Sequence, residues 1–185
     1  MTDESGRESE QQGSYVEKGK GFDRDMNYIP DRIVRDPQPD ADPPQWPVEP
    51  GRYRLIAARA CPWANRAIIV RKLLGLEDVI SQGLCGPTHD QRSWTFDLDP
   101  GGVDPVLGIE RLQQAYFARY PDYPRGITVP AIVEVASGQV VTNDFPWITH
   151  DFFSEWRDHH REDAPDLWPD DLRDEMDEVN KRVFP

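Results

Sequence analysis

The chain has 185 residues and a formal net charge of −13, a length that suits one ordinary domain with tails and allows a buried core. The acidic balance argues against a nucleic-acid partner, because neutralising phosphates requires clustered Lys and Arg. Apolar runs fall far short of the roughly 20 residues that span a bilayer, and the N-terminus MTDESGRESEQQGS lacks the plan of a signal peptide. We therefore expect a cytoplasmic protein without a membrane partner.

The N-terminal quarter is predicted to lie outside the folded domain. Residues 1–26 are polar and charged, a composition that cannot offset the entropy lost on ordering, so we predict a mobile tail. Residues 27–50 are predicted to form an extended Pro-rich arm, because the six prolines between Asp36 and Pro50 rule out a helix or a central strand. Trp46 is expected to attach this arm to the domain by burying its ring.

Apolar periodicity predicts alternating strands and helices between residues 51 and 160. Gly75 is placed to cap the first helix, and the short gap between the last two strands favours a hairpin. The predicted strands are 52–58, 77–84, 126–135 and 138–143, and the predicted helices are 63–74, 108–120 and 144–156. This βαβαββα order is that of a thioredoxin-like α/β domain.

Cys61 stands where the first strand turns into the first helix. Pro62 suits a first helical turn, where its missing N–H does no harm, so Cys61 is predicted at the helix N-terminus. Free amides and the helix dipole favour a thiolate there, which predicts a pKa below the ~8.5 of a free thiol. A thiolate is a competent nucleophile. The alternative is a buried, unreactive thiol.

The local spacing indicates a single reactive thiol. Ala64 occupies the position where a thioredoxin-type C-x-x-C motif carries its second cysteine. Such a monothiol typically forms a mixed disulfide with a small thiol and needs a second external thiol for release. Cys85 is either a distant resolving thiol or a partly buried bystander, and pairing of the two cysteines stays open.

Several segments resemble the N-terminal half of glutathionyl-hydroquinone reductases, the Xi class of glutathione transferases. The family's cysteine motif C-P-W-A-x-R is present as residues 61–66, and the resemblance includes SWTFD, GITVPAIVE and GQVVTND and covers about residues 13–185. The resemblance implies a thioredoxin-fold domain followed by an all-helical domain. It also implies that Cys61 attacks the sulfur of a glutathionylated hydroquinone, expels the hydroquinone and leaves a mixed disulfide for a second thiol to resolve.

The family's thiol-binding positions map onto Trp94, Val129 with Pro130, and Asp144, with Arg125 as a weaker candidate. A cis Val129–Pro130 bond is expected from the thioredoxin-fold rule, because X-Pro bonds tolerate the cis form. Each position has a structural alternative. In these alternatives, Trp94 only packs under a loop, Pro130 is a strand-edge proline and Arg125 is a solvated surface charge. Asp144 is expected to cap the third helix in either case.

The co-substrate is expected to be glutathione or another low-molecular-weight thiol. Where the family follows the loop asparagine with Glu-Ser, this chain has Asp144-Phe145, which replaces a hydroxyl for the γ-glutamyl carboxylate with a phenyl ring. Such a loss costs about 1.5–3 kcal/mol, so mycothiol, which lacks the γ-glutamyl group, is an alternative. No metal is expected, because His159 and His160, as helical neighbours, point about 100° apart and need ligands from elsewhere.

Residues 161–185 are predicted to begin the helical domain, whose remainder the chain lacks. Leu172, Met176, Val179 and Val183 form one apolar stripe, and a stripe without a partner surface favours self-association. We therefore expect a truncated product or a piece of a longer protein, and a homodimer if the helical domain is present.

Three functions remain open from the sequence. The first is a thiol-dependent reductase that cleaves thiol conjugates of hydroquinones, with Cys61 as nucleophile. The second is a general thioltransferase or deglutathionylase that acts on small mixed disulfides. The third is a non-catalytic thioredoxin-fold fragment or binding module. The partners expected for the two enzymes are small-molecule thiols and their quinol conjugates.

Overall fold

The computed structural model describes residues 28–87, 89–90, 93–123 and 126–183. The strands are β1 (Arg32–Val34), β2 (Gln45–Pro47), β3 (Tyr53–Ala57), β4 (Ile80–Leu84), β5 (His89–Asp90), β6 (Ser93–Trp94), β7 (Ala131–Glu134) and β8 (Val140–Thr142). The helices are α1 (Pro62–Leu74), α2 (Gln113–Arg119), α3 (Phe145–Ser154) and α4 (Arg173–Val183). The central sheet has the order β4-β3-β7-β8, with β4 parallel to β3 and the other pairs antiparallel.

Helices cover both faces of the central sheet, and strand side chains alternate between these faces. One buried cluster joins the sheet to α1 and α3, with members such as Leu55, Ala67, Ile132, Val141, Ile148 and Phe152. The opposite cluster joins the sheet to α2, with members such as Ile56, Ala115, Tyr116, Val133 and Val140. All five residues of β3 are therefore buried, as expected for a strand covered on both faces.

The order β3-α1-β4-α2-β7-β8-α3 confirms the predicted thioredoxin-like α/β class, but several boundaries differ. Helix α2 is shorter than the predicted 108–120, because the residues just before it form backbone hydrogen bonds with β6 and with the residues that follow β6. The amide of Leu112 donates to Trp94 O at 3.0 Å, and the amide of Phe96 donates to Glu110 O at 3.2 Å. The predicted strand 77–84 begins only at Ile80, after a 3₁₀ turn at Leu76–Asp78.

The arm predicted for residues 27–50 contains two short strands, which the sequence did not predict. Strands β1 and β2 pair in parallel, apart from the central sheet. The predicted attachment through Trp46 is present, since its partly buried ring packs against the cluster of α1 and α3. Its Nε1–H donates within the arm, to Asp31 Oδ2 at 2.8 Å. A second attachment joins Arg32 and the amide of Ile33 to the buried carboxylate of Asp151 in α3. The tail predicted for residues 1–26 lies outside the described residues.

The C-terminal segment ends in α4, in which no residue is buried. The predicted apolar stripe is largely open to solvent, since Leu172, Val179 and Val183 are 44%, 51% and 60% exposed. Among the described residues, no helix has both the length and the apolar character needed to cross a membrane.

Candidate active site

Cys61 lies at the N-cap of α1, as the sequence predicted. It has extended backbone angles (φ −93°, ψ 116°), and Pro62 occupies the first turn. The helix is anchored by buried Ala64 and Ala67 on its inner side and ends at Gly75, whose left-handed φ of 74° allows its amide to bond the last carbonyls. Cys61 itself is half-buried.

The partner of the thiol differs from the expected one. The sequence predicted that the sulfur faces the free amides of the first helical turn, but within the described chain it accepts no capping hydrogen bond. Instead, Cys61 Sγ donates to the carbonyl oxygen of Val129 at 3.3 Å. The Val129–Pro130 bond is cis, as predicted. The reactive-thiol candidate and the cis-proline loop, far apart in sequence, are thus in direct contact.

Asp144 caps α3, which confirms the structural part of its predicted role. Its Oδ1 accepts from the amide of Trp147 at 3.4 Å. Burial raises the pKa of the Asp144 carboxyl, and this outweighs the opposing effects of the Trp147 amide and the positive charge of Arg32. The carboxylate lies at the N-terminus of the helix that packs against α1.

Phe145 follows Asp144 and is 6% exposed. Its ring is 5.9 Å from that of Trp63, in the first turn of α1, and 6.1 Å from that of Tyr28, with which it makes an edge contact. The position where the family carries a hydroxyl is therefore part of an aromatic cluster that bridges the N-termini of α1 and α3.

The remaining predicted thiol-binding residues are placed less directly. Trp94 in β6 is 8% exposed and belongs to the same apolar cluster as Val129, against which Cys61 packs. This burial agrees with the packing alternative and leaves only a small part of the ring accessible. Arg125 lies outside the described residues.

Cys85 has the features of a bystander. It is 2% exposed, both cysteines are free, and its amide donates to Ala57 O at the sheet edge. Burial raises the pKa of the Cys85 thiol, and the negative charges of Asp104, Asp97 and Asp99 act in the same direction. A buried thiol that is held protonated is a poor nucleophile.

Within the described residues, no group of three His, Cys, Asp or Glu side chains is placed to hold a metal. His160 Nε2 is bonded to Phe152 O at 2.8 Å, while the ring of His159 packs on Trp156. The side chains of His159 and His160 therefore have different partners.

Asn143 is a residue of the site region that the sequence did not single out. It is 1% exposed, and its side chain contacts both the arm and the loop before Pro130. Its partners lie between 15 and 114 residues away in sequence, so no local pattern could reveal them.

A cleft of about 770 Å³ opens beside this region, between α1, α3 and the C-terminal segment. It begins little more than one turn along α1 from Cys61, at Arg66, and its wall includes Pro146 of the first turn of α3. Its lining includes the aromatic rings of Trp147, His150, Phe153 and Trp168.

Comparison with known proteins is consistent with this geometry. Residues 60–150 match the family model described as glutathione S-transferase, N-terminal domain. A glutathione transferase from Gordonia bronchialis has 66% identity to this chain and a TM-score of 0.80, over 85% of this chain and 48% of its own. The Xi-class enzyme from Phanerochaete chrysosporium has 34% identity and a TM-score of 0.70, over 83% of this chain and 52% of its own.

The glutathionyl-hydroquinone reductase YqjG from Escherichia coli is 35% identical over 138 residues, which cover 74% of this chain and 42% of that protein. Its glutathione-bound structure matches with 31% identity and a TM-score of 0.72, over 83% of this chain and 50% of its own. The chain thus spans about half the length of these relatives. It belongs to the glutathione transferases, with a thioredoxin-like N-terminal domain, and is similar to their Xi-class members and to glutathionyl-hydroquinone reductases.

Proposed function

We propose that this chain contributes the nucleophile of a thiol-dependent reductase that cleaves thiol conjugates of hydroquinones. The observation that carries the proposal is the position of Cys61, half-buried at the N-cap of α1 with its sulfur 3.3 Å from Val129 O beside cis Pro130. The position three residues on is Ala64, so release of a mixed disulfide needs an external thiol.

In the proposed reaction, the Cys61 thiolate attacks the sulfur of an S-conjugated hydroquinone. A sulfur–sulfur bond forms while the carbon–sulfur bond breaks, and the ring carbon keeps the electron pair and takes up a proton, so that free hydroquinone leaves. A second thiolate then attacks the substrate-derived sulfur of the mixed disulfide. This step releases a small disulfide and regenerates the Cys61 thiolate.

The thiolate form requires a change at the sulfur. A carbonyl oxygen accepts a hydrogen bond from a thiol but repels a thiolate, so on ionisation Sγ is expected to turn away from Val129 O. The amides of Trp63 and Ala64, in the first turn of α1, stand at the two positions from which an N-cap side chain accepts. This rotation frees the Val129 backbone for the incoming thiol.

We assign thiol binding to the surroundings of Cys61. Val129 and Pro130 contribute the backbone edge beside the sulfur, Asp144 a carboxylate for an amino group, and Trp94 a ring edge, while Arg125 is a proposed partner for a ligand carboxylate. The glutathione-bound structure of the E. coli relative supports glutathione as the thiol. The aromatic rings that line part of the 770 Å³ cleft suit the ring of a hydroquinone.

The organisation of the longer protein is part of the same proposal. Residues 51–160 form the thioredoxin-like domain, residues 27–50 its arm, and residues 161–185 the start of a helical domain. The open apolar side of α4 supports the last assignment, because such a side needs a partner surface. Homodimer formation is proposed for the protein that contains the helical domain.

The decisive experiment compares Cys61→Ala with the matched control Cys85→Ala. Each protein is mixed with excess glutathionyl-hydroquinone in a single turnover, and both free hydroquinone and the glutathionyl adduct on the protein are quantified by mass spectrometry. The wild type and Cys85→Ala are expected to release about one hydroquinone per adduct, and Cys61→Ala none. Release by Cys61→Ala at the wild-type rate would remove Cys61 from the mechanism.

A second function, general thioltransfer, is supported by the same half-buried monothiol. The mixed disulfide of glutathione and 2-mercaptoethanol distinguishes a thioltransferase from a hydroquinone-conjugate reductase. Its cleavage breaks no carbon–sulfur bond and needs no proton at a ring carbon. Adduct formation with this disulfide but no hydroquinone release identifies a thioltransferase. Absence of both reactions, with Cys61 no more reactive than Cys85, identifies a non-catalytic module.

A further inference from the structure

Asn143 is a buried side chain at the end of β8 that joins two segments far apart in sequence. Its Oδ1 accepts from the amide of Ile29 in the arm at 2.7 Å. Its Nδ2 donates to Gly126 O at 3.0 Å and to Thr128 Oγ1 at 2.8 Å. The amide's acceptor and donor groups are thus all used in the interior, where a lost partner leaves a buried polar group unsatisfied.

The loop that Asn143 holds is the one that carries the partner of the reactive thiol. Thr128 is fixed twice, since Asn143 binds its hydroxyl and Tyr116 of α2 donates to its carbonyl oxygen at 3.1 Å. The next carbonyl in the chain is that of Val129, which accepts from Cys61 Sγ. The contact to Cys61 therefore lies one residue beyond a doubly anchored position.

The arm enters the same network through Ile29. Both backbone groups of this residue are used, because its amide donates to Asn143 and its carbonyl accepts from Thr142 Oγ1 at 2.7 Å. Asn143 is the side chain at which this arm contact and the loop contact meet.

We propose that Asn143 is a positioning residue for Cys61, which fixes the loop 126–129 so that the Val129 carbonyl faces the sulfur and holds the resting thiol. The side-chain hydrogen bonds of Asn143 among the described residues go to Ile29, Gly126 and Thr128, so it acts on the sulfur through the loop. This role rests on the proposed function of Cys61 as nucleophile, but its test does not require turnover.

The test follows the rate of iodoacetamide alkylation of Cys61 against pH, with peptide mapping so that Cys85 in the same sample is the buried reference. Asn143→Ala removes both loop contacts, and Thr128→Val removes one of them with almost unchanged shape. Trp46→Phe is the control, because it removes a hydrogen bond within the arm, from Trp46 to Asp31, and leaves Asn143 untouched. The charged groups on the described segments around Cys61, namely Arg59, Arg66 and Asp144, are the same in every variant.

Freeing the loop removes a fixed acceptor of the thiol proton, and hydrogen bonding to a neutral form disfavours the charged one. We therefore expect the midpoint of the alkylation profile to fall by about half a pH unit in Asn143→Ala and by less in Thr128→Val. Trp46→Phe is expected to lower the unfolding temperature without moving the midpoint.

An unchanged midpoint in Asn143→Ala, or an equal shift in Trp46→Phe, would show that Asn143 only stabilises the fold. If Asn143→Ala does not fold, an unchanged profile in Thr128→Val overturns the proposal by itself. Failure of the proposed reaction is a separate result, since it appears as hydroquinone release by Cys61→Ala.

Discussion

Arg54 of β3 and Asp104 form an ion pair in which both side chains are almost completely buried, 6% and 0% exposed. Arg54 Nε and Nη2 donate to Asp104 Oδ2 at 3.0 and 2.9 Å, while Oδ1 accepts from the amides of Val106 and Leu107. The pair joins the central strand, which ends shortly before Cys61, to the long loop that follows Trp94. Gly83 leaves the necessary space, since a Cβ there would lie 2.6 Å from Asp104 Oδ2.

Replacing Asp104 by Ala is expected to lower the free energy of unfolding by about 3–5 kcal/mol, because it leaves the Arg54 charge buried without its partner. The change is measured by chemical denaturation, with one common slope of unfolding free energy against denaturant concentration for both proteins. The matched control is Asp163→Ala, which breaks the exposed pair with Arg161 and is expected to cost at most about 1 kcal/mol. Equal costs for the two variants would mean that the buried pair contributes nothing particular to the fold.

Cys85 gives the stability a dependence on alkaline pH. Burial raises the pKa of the Cys85 thiol in the folded chain above the ordinary 9.0. At a pH between 9.0 and this raised pKa, the unfolded chain loses a proton that the folded chain keeps. The stabilisation is fully present below pH 9.0 and is lost as the pH rises, by up to about 1.4 kcal/mol per pH unit. Burial also raises the pKa of Tyr53, whose ordinary value is 10.0. Below pH 10.0 the effect of Cys85 on stability is therefore not mixed with that of Tyr53.

We therefore expect Cys85→Ala to flatten the fall of the unfolding temperature between pH 9 and 10, whatever the variant costs at neutral pH. Differential scanning calorimetry at pH 8.0, 9.0 and 10.0 measures both slopes, and the slope rather than the absolute temperature is compared. Identical slopes in the wild type and the variant would contradict a raised thiol pKa.

Local rules were enough to predict several features of the site from the sequence. The placement of Cys61 at a helix start follows from Pro62, the end of α1 from Gly75, and the cap of α3 from Asp144. Each of these depends on residues within a few positions. The short strand pattern of β3 likewise needs no partner to be recognised.

Features that depend on distant partners could not be predicted in this way. The sulfur of Cys61 turns to a carbonyl 68 residues away, and Asn143 holds an amide 114 residues away. The first predicted turn of α2 is replaced by backbone pairing with the segment around Trp94, which propensity within 108–120 does not register. Tertiary hydrogen bonds therefore decided each of these differences.

Phe145 is predicted to control which thiol is accepted. Phe145→Ser restores a hydroxyl beside Asp144, and a hydrogen bond to a charged carboxylate of about 1.5 kcal/mol would favour glutathione about tenfold. Phe145→Leu is the control, because it also removes the ring contacts with Trp63 and Tyr28 but adds no donor. The readout is the rate at which Cys61 forms a mixed disulfide with glutathione disulfide or with mycothiol disulfide.

We expect Phe145→Ser to move the ratio of the two rates toward glutathione relative to the wild type, with Phe145→Leu unchanged. Both variants are assayed below their unfolding temperatures, because truncating a buried ring lowers stability. A clear preference of the wild type for glutathione would defeat the mycothiol alternative.

The exposed stripe of α4 is predicted to drive self-association of the chain. Leu172, Val179 and Val183 are each more than two-fifths exposed, and Leu172, Met176 and Val179 line a shallow groove of about 320 Å³. Val179→Lys is expected to weaken association about tenfold, since burying one valine contributes about 1.5 kcal/mol. Asp174→Asn, on the opposite side of the helix, is a control with the same change of net charge.

Sedimentation velocity over a range of protein concentrations distinguishes the outcomes. The wild type and Asp174→Asn are expected to show a mass that rises with concentration, and Val179→Lys a smaller rise. Because the chain carries a net charge of −13, two copies repel each other, so added salt should strengthen an association driven by apolar contact. A wild type that stays monomeric in high salt would show that the stripe tolerates water without a partner.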